Sequence, residues 1–236
     1  MRSVPARRGA MIAFLGEKKL FAAIFAALAA FHVVLVLSTR LFPFTDLPDH
    51  LAAATVARHI DEPGNRFAEL YRVETGLRPN TAHLAVSASR IFPSVEAANR
   101  ALLALYVVLL PVSILLILRK LGGSPWYALL SFTLLYNYNA SWGFMGFALA
   151  APLVLLFYRF FAIDAGALDS PPRAAIAALW LVALYFVHVL AALFALLALL
   201  AGTPLASGKR WRALARRLVV AGPLLVLTAL WWRMEG

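Results

Sequence analysis

The residues best placed to do chemistry stand together in one short segment, Phe44-Thr45-Asp46-Leu47-Pro48-Asp49-His50-Leu51. Pro48 suits the first turn of a helix, and Thr45 or Asp46 suits its N-cap. A helix from about Leu47 to Ile60 places Asp46, Asp49 and His50 at i, i+3 and i+4, so the three share one face. Three chemistries fit that spacing. Asp46 can serve as a general base with His50 beside it. The trio can ligate a divalent cation, the one cofactor this spacing suggests. Or Asp46 caps the helix, and Asp49 is a first-turn acid favoured by the helix dipole. Leu51, Ala54 and Ile60 fall along an apolar side, as in a helix lying on a membrane surface.

Other polar residues stand at informative places. Arg78 precedes Pro79-Asn80, and a guanidinium fork there would suit a lipid phosphate. His83 follows at the start of a short apolar helix. His188 lies in the middle of the apolar run 174–203, where an ionisable group is a functional candidate by default. Tyr136-Asn137-Tyr138-Asn139 reads as an interfacial cap, with Asn137 and Asn139 also suited to sugar hydroxyls. His32, midway along the first apolar run, reads as a packed interior side chain. No P-loop, GxGxxG, HExxH or GxSxG motif occurs.

The elements that must position these residues are set by composition. Of 236 residues, 63% are hydrophobic and only 14% charged, with mean hydropathy +0.81. Soluble domains carry about 25% charged residues, so this chain lacks the polar side chains to cover a water-facing globule. The net charge of +11 is not that of a nucleic-acid binder, because the basic residues sit between apolar runs. With no cysteine there is no disulfide framework, thiol redox chemistry or Cys-based metal site.

The expected fold is all-α, a polytopic transmembrane bundle of about seven spans. Residues 1–19 form a cytoplasmic N-terminus, 20–38 the first, uncleaved transmembrane helix, 39–99 an outer loop with short amphipathic surface helices, and 100–236 the remaining bundle. Apolar runs at 101–118, 124–140, 143–162, 174–203 and 218–232 supply the later spans. A single helix over the 30 residues 174–203 would rise about 45 Å, well past the hydrocarbon thickness of about 30 Å. It would also carry the basic block ending at Arg217 to the outer side, against the positive-inside rule. A break near Phe186-Val187-His188 solves both problems, although no Gly, Pro or Asn marks a turn there. Fourteen of the 22 Lys+Arg then fall inside with three acids, and eight Arg fall outside with eight acids. The expected location is the bacterial inner membrane, with the N-terminus in the cytoplasm.

In this order, the segments resemble the GT-C superfamily of membrane glycosyltransferases, which use polyprenyl-phosphate sugars. The matching segments are Phe44-Thr45-Asp46-Leu47-Pro48-Asp49-His50-Leu51, Arg78-Pro79-Asn80-x-x-His83-Leu84, Tyr136-Asn137-x-x-x-Ser141-Trp142-Gly143-Phe144-x-x-Phe147 and Tyr185-Phe186-x-His188. The likeness covers residues 20–232 and the seven-helix N-terminal module of those enzymes. It implies transfer of a sugar from a polyprenyl-phosphate donor to an acceptor at the outer face. Asp46 would be the catalytic base, and Arg78, His83 and His188 would flank the lipid phosphate, with Asp49, His50 and Asn137 also binding substrate. Two departures accompany the likeness. Leu47 stands where many members carry a second acid after the first, and the further helices and soluble outer domain of such enzymes do not follow the seventh span. The alternative is a non-catalytic membrane subunit or scaffold that packs against a protein partner. Membrane lipids are partners under either reading, and nucleic acid under neither.

Overall fold

A computed structural model of the chain describes residues 4–40, 42–74, 76–164, 166–202 and 210–235. Arg2 and Lys209, counted above among the inner basic residues, lie outside these. Every regular element among the described residues is helical. The first is α1 (Val4–Ser38), which starts well before the expected span at 20–38 because nothing in the preceding segment stops a helix.

The polar stretch that follows holds α2 (Leu47–His59), α3 (Phe67–Leu70) and α4 (Ala82–Ala88). The long helices are α5 (Val95–Lys120), α7 (Met145–Phe157), which runs on as a π turn over Tyr158–Ala162, and α10 (Arg210–Glu235). By length and composition four stretches could cross a membrane: Gly16–Ser38, Val95–Lys120, Met145–Ala162 and Trp211–Met234. Two shorter apolar helices, α8 (Pro171–Val187) and α9 (Val189–Ala201), lie between the last two. The chain is thus an all-helical membrane protein.

The run at 124–140 departs from the expected α-helix. Pro125–Leu134 is a ten-residue 3₁₀ helix, followed by the short helix α6 (Tyr138–Trp142). Its geometry matches its neighbour α1. At one end the Trp126 indole N–H donates to Glu17 at 3.1 Å, and at the other the Tyr136 hydroxyl meets His32 Nδ1 at 3.0 Å. Fifteen α-helical residues rise about 22 Å. Ten residues of 3₁₀ helix, at about 2 Å each, rise about 20 Å. The tighter coil covers with fewer residues the distance α1 covers between the same two levels.

Two apolar cores share α7. On one side Val36, Leu103, Tyr106, Val107, Phe132 and Leu149 pack α1, α5 and the 3₁₀ segment together. On the other, Phe157, Leu181, Tyr185, Ala195, Leu199 and Val220 pack α7 through α10. Contacts at each end give the directions of the helices. Arg173 reaches the Phe160 carbonyl (3.1 Å), and Val187 lies against Gly146, so α8 runs antiparallel to α7. Gly202 lies against the Ala162 carbonyl, so α9 returns parallel to α7. The break between α8 and α9 falls at His188, which is extended at φ −164°, ψ 120°. The two helices therefore form an antiparallel hairpin with a one-residue joint.

Candidate functional site

The site is built where the polar stretch between α1 and α5 meets the starts of α7 and α9. The Asp46 N–H donates to the Trp142 carbonyl at 2.8 Å, which anchors the start of α2 on the α6–α7 junction. Gly143 makes this approach possible. Its φ of +90° is a glycine conformation, and a Cβ there would stand 2.8 Å from the Leu47 nitrogen. Gly146 does the same one turn later, where a Cβ would meet the Val187 carbonyl at 2.9 Å.

The His188 joint is held from outside its own hairpin. Asn80 donates its backbone N–H to the Tyr185 carbonyl (3.2 Å), and its side-chain Oδ1 accepts the Val189 N–H (2.8 Å). The Tyr185 hydroxyl donates back to the Leu77 carbonyl at 2.7 Å. Asn80 thus ties off the last turn of α8 and caps the first turn of α9 in trans, standing at φ +63°, a conformation Asn tolerates better than most residues. No residue in 186–190 signals a turn, because the turn-forming residue lies more than a hundred positions upstream.

Around this joint is a cavity of about 590 Å³ lined by His50, Asn80, His83, Asn139 and His188. Its apolar wall is formed by Leu84, Phe144, Met145, Phe147, Leu190 and Phe194. The His50 and His83 rings meet edge to face at 5.6 Å, and Phe147 packs edge-on to His188 at 5.0 Å. His83 is buried, and Nε2–H donates to Asn99 Oδ1 at 3.2 Å. Burial, with a smaller contribution from His50, holds its pKa below the ordinary histidine value, against the opposing effect of the Asn99 bond. In its neutral form, with Nε2–H given to Asn99, the ring keeps a lone pair on Nδ1. His188 Nδ1 is buried with no hydrogen-bond partner among the described residues, so a ligand atom could supply that bond.

The other expected site residues are distributed as follows. Asp46 stands at the N-cap of α2, yet its half-buried carboxylate makes no capping bond, hydrogen bond or ion pair among the described residues. Asp49 is exposed in the first turn. Asp46, Asp49 and His50 do not converge as metal ligands, and no group of three His, Asp or Glu side chains among the described residues does. Arg78 pairs with Glu74 and lines an adjoining cavity of about 460 Å³ with Tyr71, Arg72 and Thr81. Asn137 caps α6 by accepting the Ala140 N–H (3.2 Å), and its amide donates to Tyr106 and to the Leu134 carbonyl. Asn139, two residues on, is the member of that pair that lines the histidine cavity.

Sequence reasoning passed over Asn80 as a site residue. Asn80 stood inside a recognised motif, and its preference for left-handed backbone was the available signal. No protein-family model, curated protein or solved structure matches the chain.

Proposed function

We propose that this protein is a GT-C-like membrane glycosyltransferase that moves a sugar from a polyprenyl-phosphate donor to an acceptor hydroxyl at the outer face. The observation that carries the reading is the cavity at the His188 joint. Three histidines and two asparagines meet an apolar wall there, and the uncommitted Asp46 carboxylate stands one helical turn from His50. A polar pocket with an apolar flank suits a headgroup still attached to a lipid chain.

The reaction asks for positioning, one base and stabilisation of a leaving phosphate. Asp46 takes the proton from the acceptor hydroxyl as its oxygen attacks the anomeric carbon. The bond from that carbon to the phosphate oxygen breaks, configuration inverts, and polyprenyl phosphate leaves with the negative charge. His188 and His83 supply ring nitrogens to the sugar or phosphate, and Asn80 and Asn139 contact hydroxyls. Arg78 stands at the neighbouring cavity, where it would meet the donor phosphate only after yielding Glu74.

In this reading α8, α9 and the 3₁₀ segment cross together with the four longer helices. That gives seven spans in a bacterial inner membrane with the N-terminus in the cytoplasm. At about 20 Å, thirteen-residue α9 is shorter than the hydrocarbon. The His188 joint would therefore lie below the outer surface, at a depth lipid-borne groups reach.

The test is mass spectrometry of lipids co-purifying with the wild-type protein and with Asp46→Ala. The expected result is an enriched polyprenyl-phosphate species in both, with more of the glycosylated form retained by the variant. Bulk phospholipid alone in both samples overturns the proposal.

A further inference from the structure

The opposite end of the bundle carries a separate cavity of about 430 Å³ between α1, the end of α5 and the start of the 3₁₀ segment. A turn at the end of α5 creates it. Gly122, at φ +74°, lets the Gly123 N–H return to the Leu118 carbonyl (2.8 Å) while its own N–H approaches the Arg119 carbonyl (3.4 Å). The chain enters Pro125 at once, so Arg119 and Ser124–Trp126 line the same small space. Glu17, Lys18, Phe21 and Ala22 of α1 complete it.

The polar groups of this cavity are unequally engaged. The Glu17 carboxylate accepts the Trp126 indole N–H at 3.1 Å. Lys120, next to Arg119, pairs with Asp164 at 2.6 Å. Arg119 itself is exposed and makes no hydrogen bond or ion pair among the described residues. The Ser124 hydroxyl makes no capping bond to the helix that follows it. The remaining lining is apolar and continuous with α1, of which only 11% of the spanning window is buried within the protein.

We propose that this cavity binds the phosphate headgroup of an anionic membrane phospholipid. Arg119 grips the phosphate through its guanidinium fork, with Lys18 as the second cation and the Ser124 hydroxyl as a further donor. Trp126 and Phe21 lie against the glycerol and the first acyl carbons, as aromatic side chains do at a membrane interface. The apolar wall and the lipid-facing side of α1 favour a headgroup with attached chains over a free anion. Basic recesses between helices on the cytoplasmic side are the usual form of such sites.

Native mass spectrometry of the full chain in detergent, titrated with phosphatidylglycerol, tests the assignment. One tightly held lipid is expected. Arg119→Gln should weaken it about fivefold, and the Lys18→Gln/Arg119→Gln pair about 25-fold, taking the typical gain per cation near a membrane surface. Arg212→Gln removes a charge from the same end of the bundle outside the cavity and should leave retention unchanged. Phosphatidylcholine should bind alike to all variants. Unchanged retention in the double variant, or an equal loss in Arg212→Gln, overturns the site. Displacement of the lipid by millimolar inorganic phosphate overturns the headgroup assignment in favour of a free anion. Lys18 and Arg119 are both exposed, and an unchanged unfolding midpoint separates loss of the site from loss of the fold.

Discussion

Asp46, His50, His83 and His188 show how differently one cluster of polar residues can be employed. Asp46 occupies the cap position yet leaves its carboxylate unused, whereas Asn137 spends its whole amide on capping and support. Spacing alone could not separate these cases, since both residues precede a helix. His83 is the most constrained of the group. Its ring holds its proton less readily than an exposed histidine, because burial opposes the charge and His50 stands 5.6 Å away. The unfolded chain therefore binds more protons than the folded one as pH falls through about 6.5, the ordinary histidine value. Stability should be complete above that pH and decline below it. Thermal unfolding between pH 7.5 and 5.5 should show the wild-type midpoint falling more steeply than that of His83→Gln. Equal slopes would remove His83 as the source.

At the scale of elements, the sequence revealed more about lengths than about coils. The 30-residue apolar run had to break, and length and charge placed the break within two residues of where it lies. What holds the break open was not legible, because Asn80 reaches it from 109 positions away. The short run at 124–140 was visible as short, but no residue pattern marks a 3₁₀ helix, and packing beside α1 is what selects the longer rise. Asn80 makes a direct test of the hairpin. Asn80→Ala removes the bond to the Val189 N–H, at about 1 kcal/mol, and strains the left-handed backbone by about 1 kcal/mol more. Asn80→Gly should lose only the first, and Asn80→Asp should keep most of both. Unfolding in detergent micelles should rank the variants Asp, Gly, Ala in order of falling stability. If Ala matches wild type, the joint is held by packing alone.

For the whole molecule the open question is how many of its apolar segments cross the membrane, and the answer turns on parity. Four spans place both termini on one side, whereas seven place them on opposite sides. Ion pairs at one end of the bundle favour an odd number: Lys120 with Asp164 brings the ends of α5 and α7 together, and Arg216 with Asp169 joins the approach to α8 to the start of α10. The expected topology puts fourteen of the 22 basic residues on the cytoplasmic side. The absence of native cysteine makes the experiment clean. Single cysteines at Glu69, Leu121 and Met234, all exposed, report on the polar stretch after α1, the α5 turn and the end of α10. With an impermeant maleimide on intact cells, Glu69→Cys and Met234→Cys should label at once, and Leu121→Cys only after the membrane is opened. Labelling of Met234→Cys only after permeabilisation would mean an even number of crossings. The His188 joint would then lose the outer-face placement that the proposed function requires, and with it the proposed route of a lipid-linked sugar to Asp46.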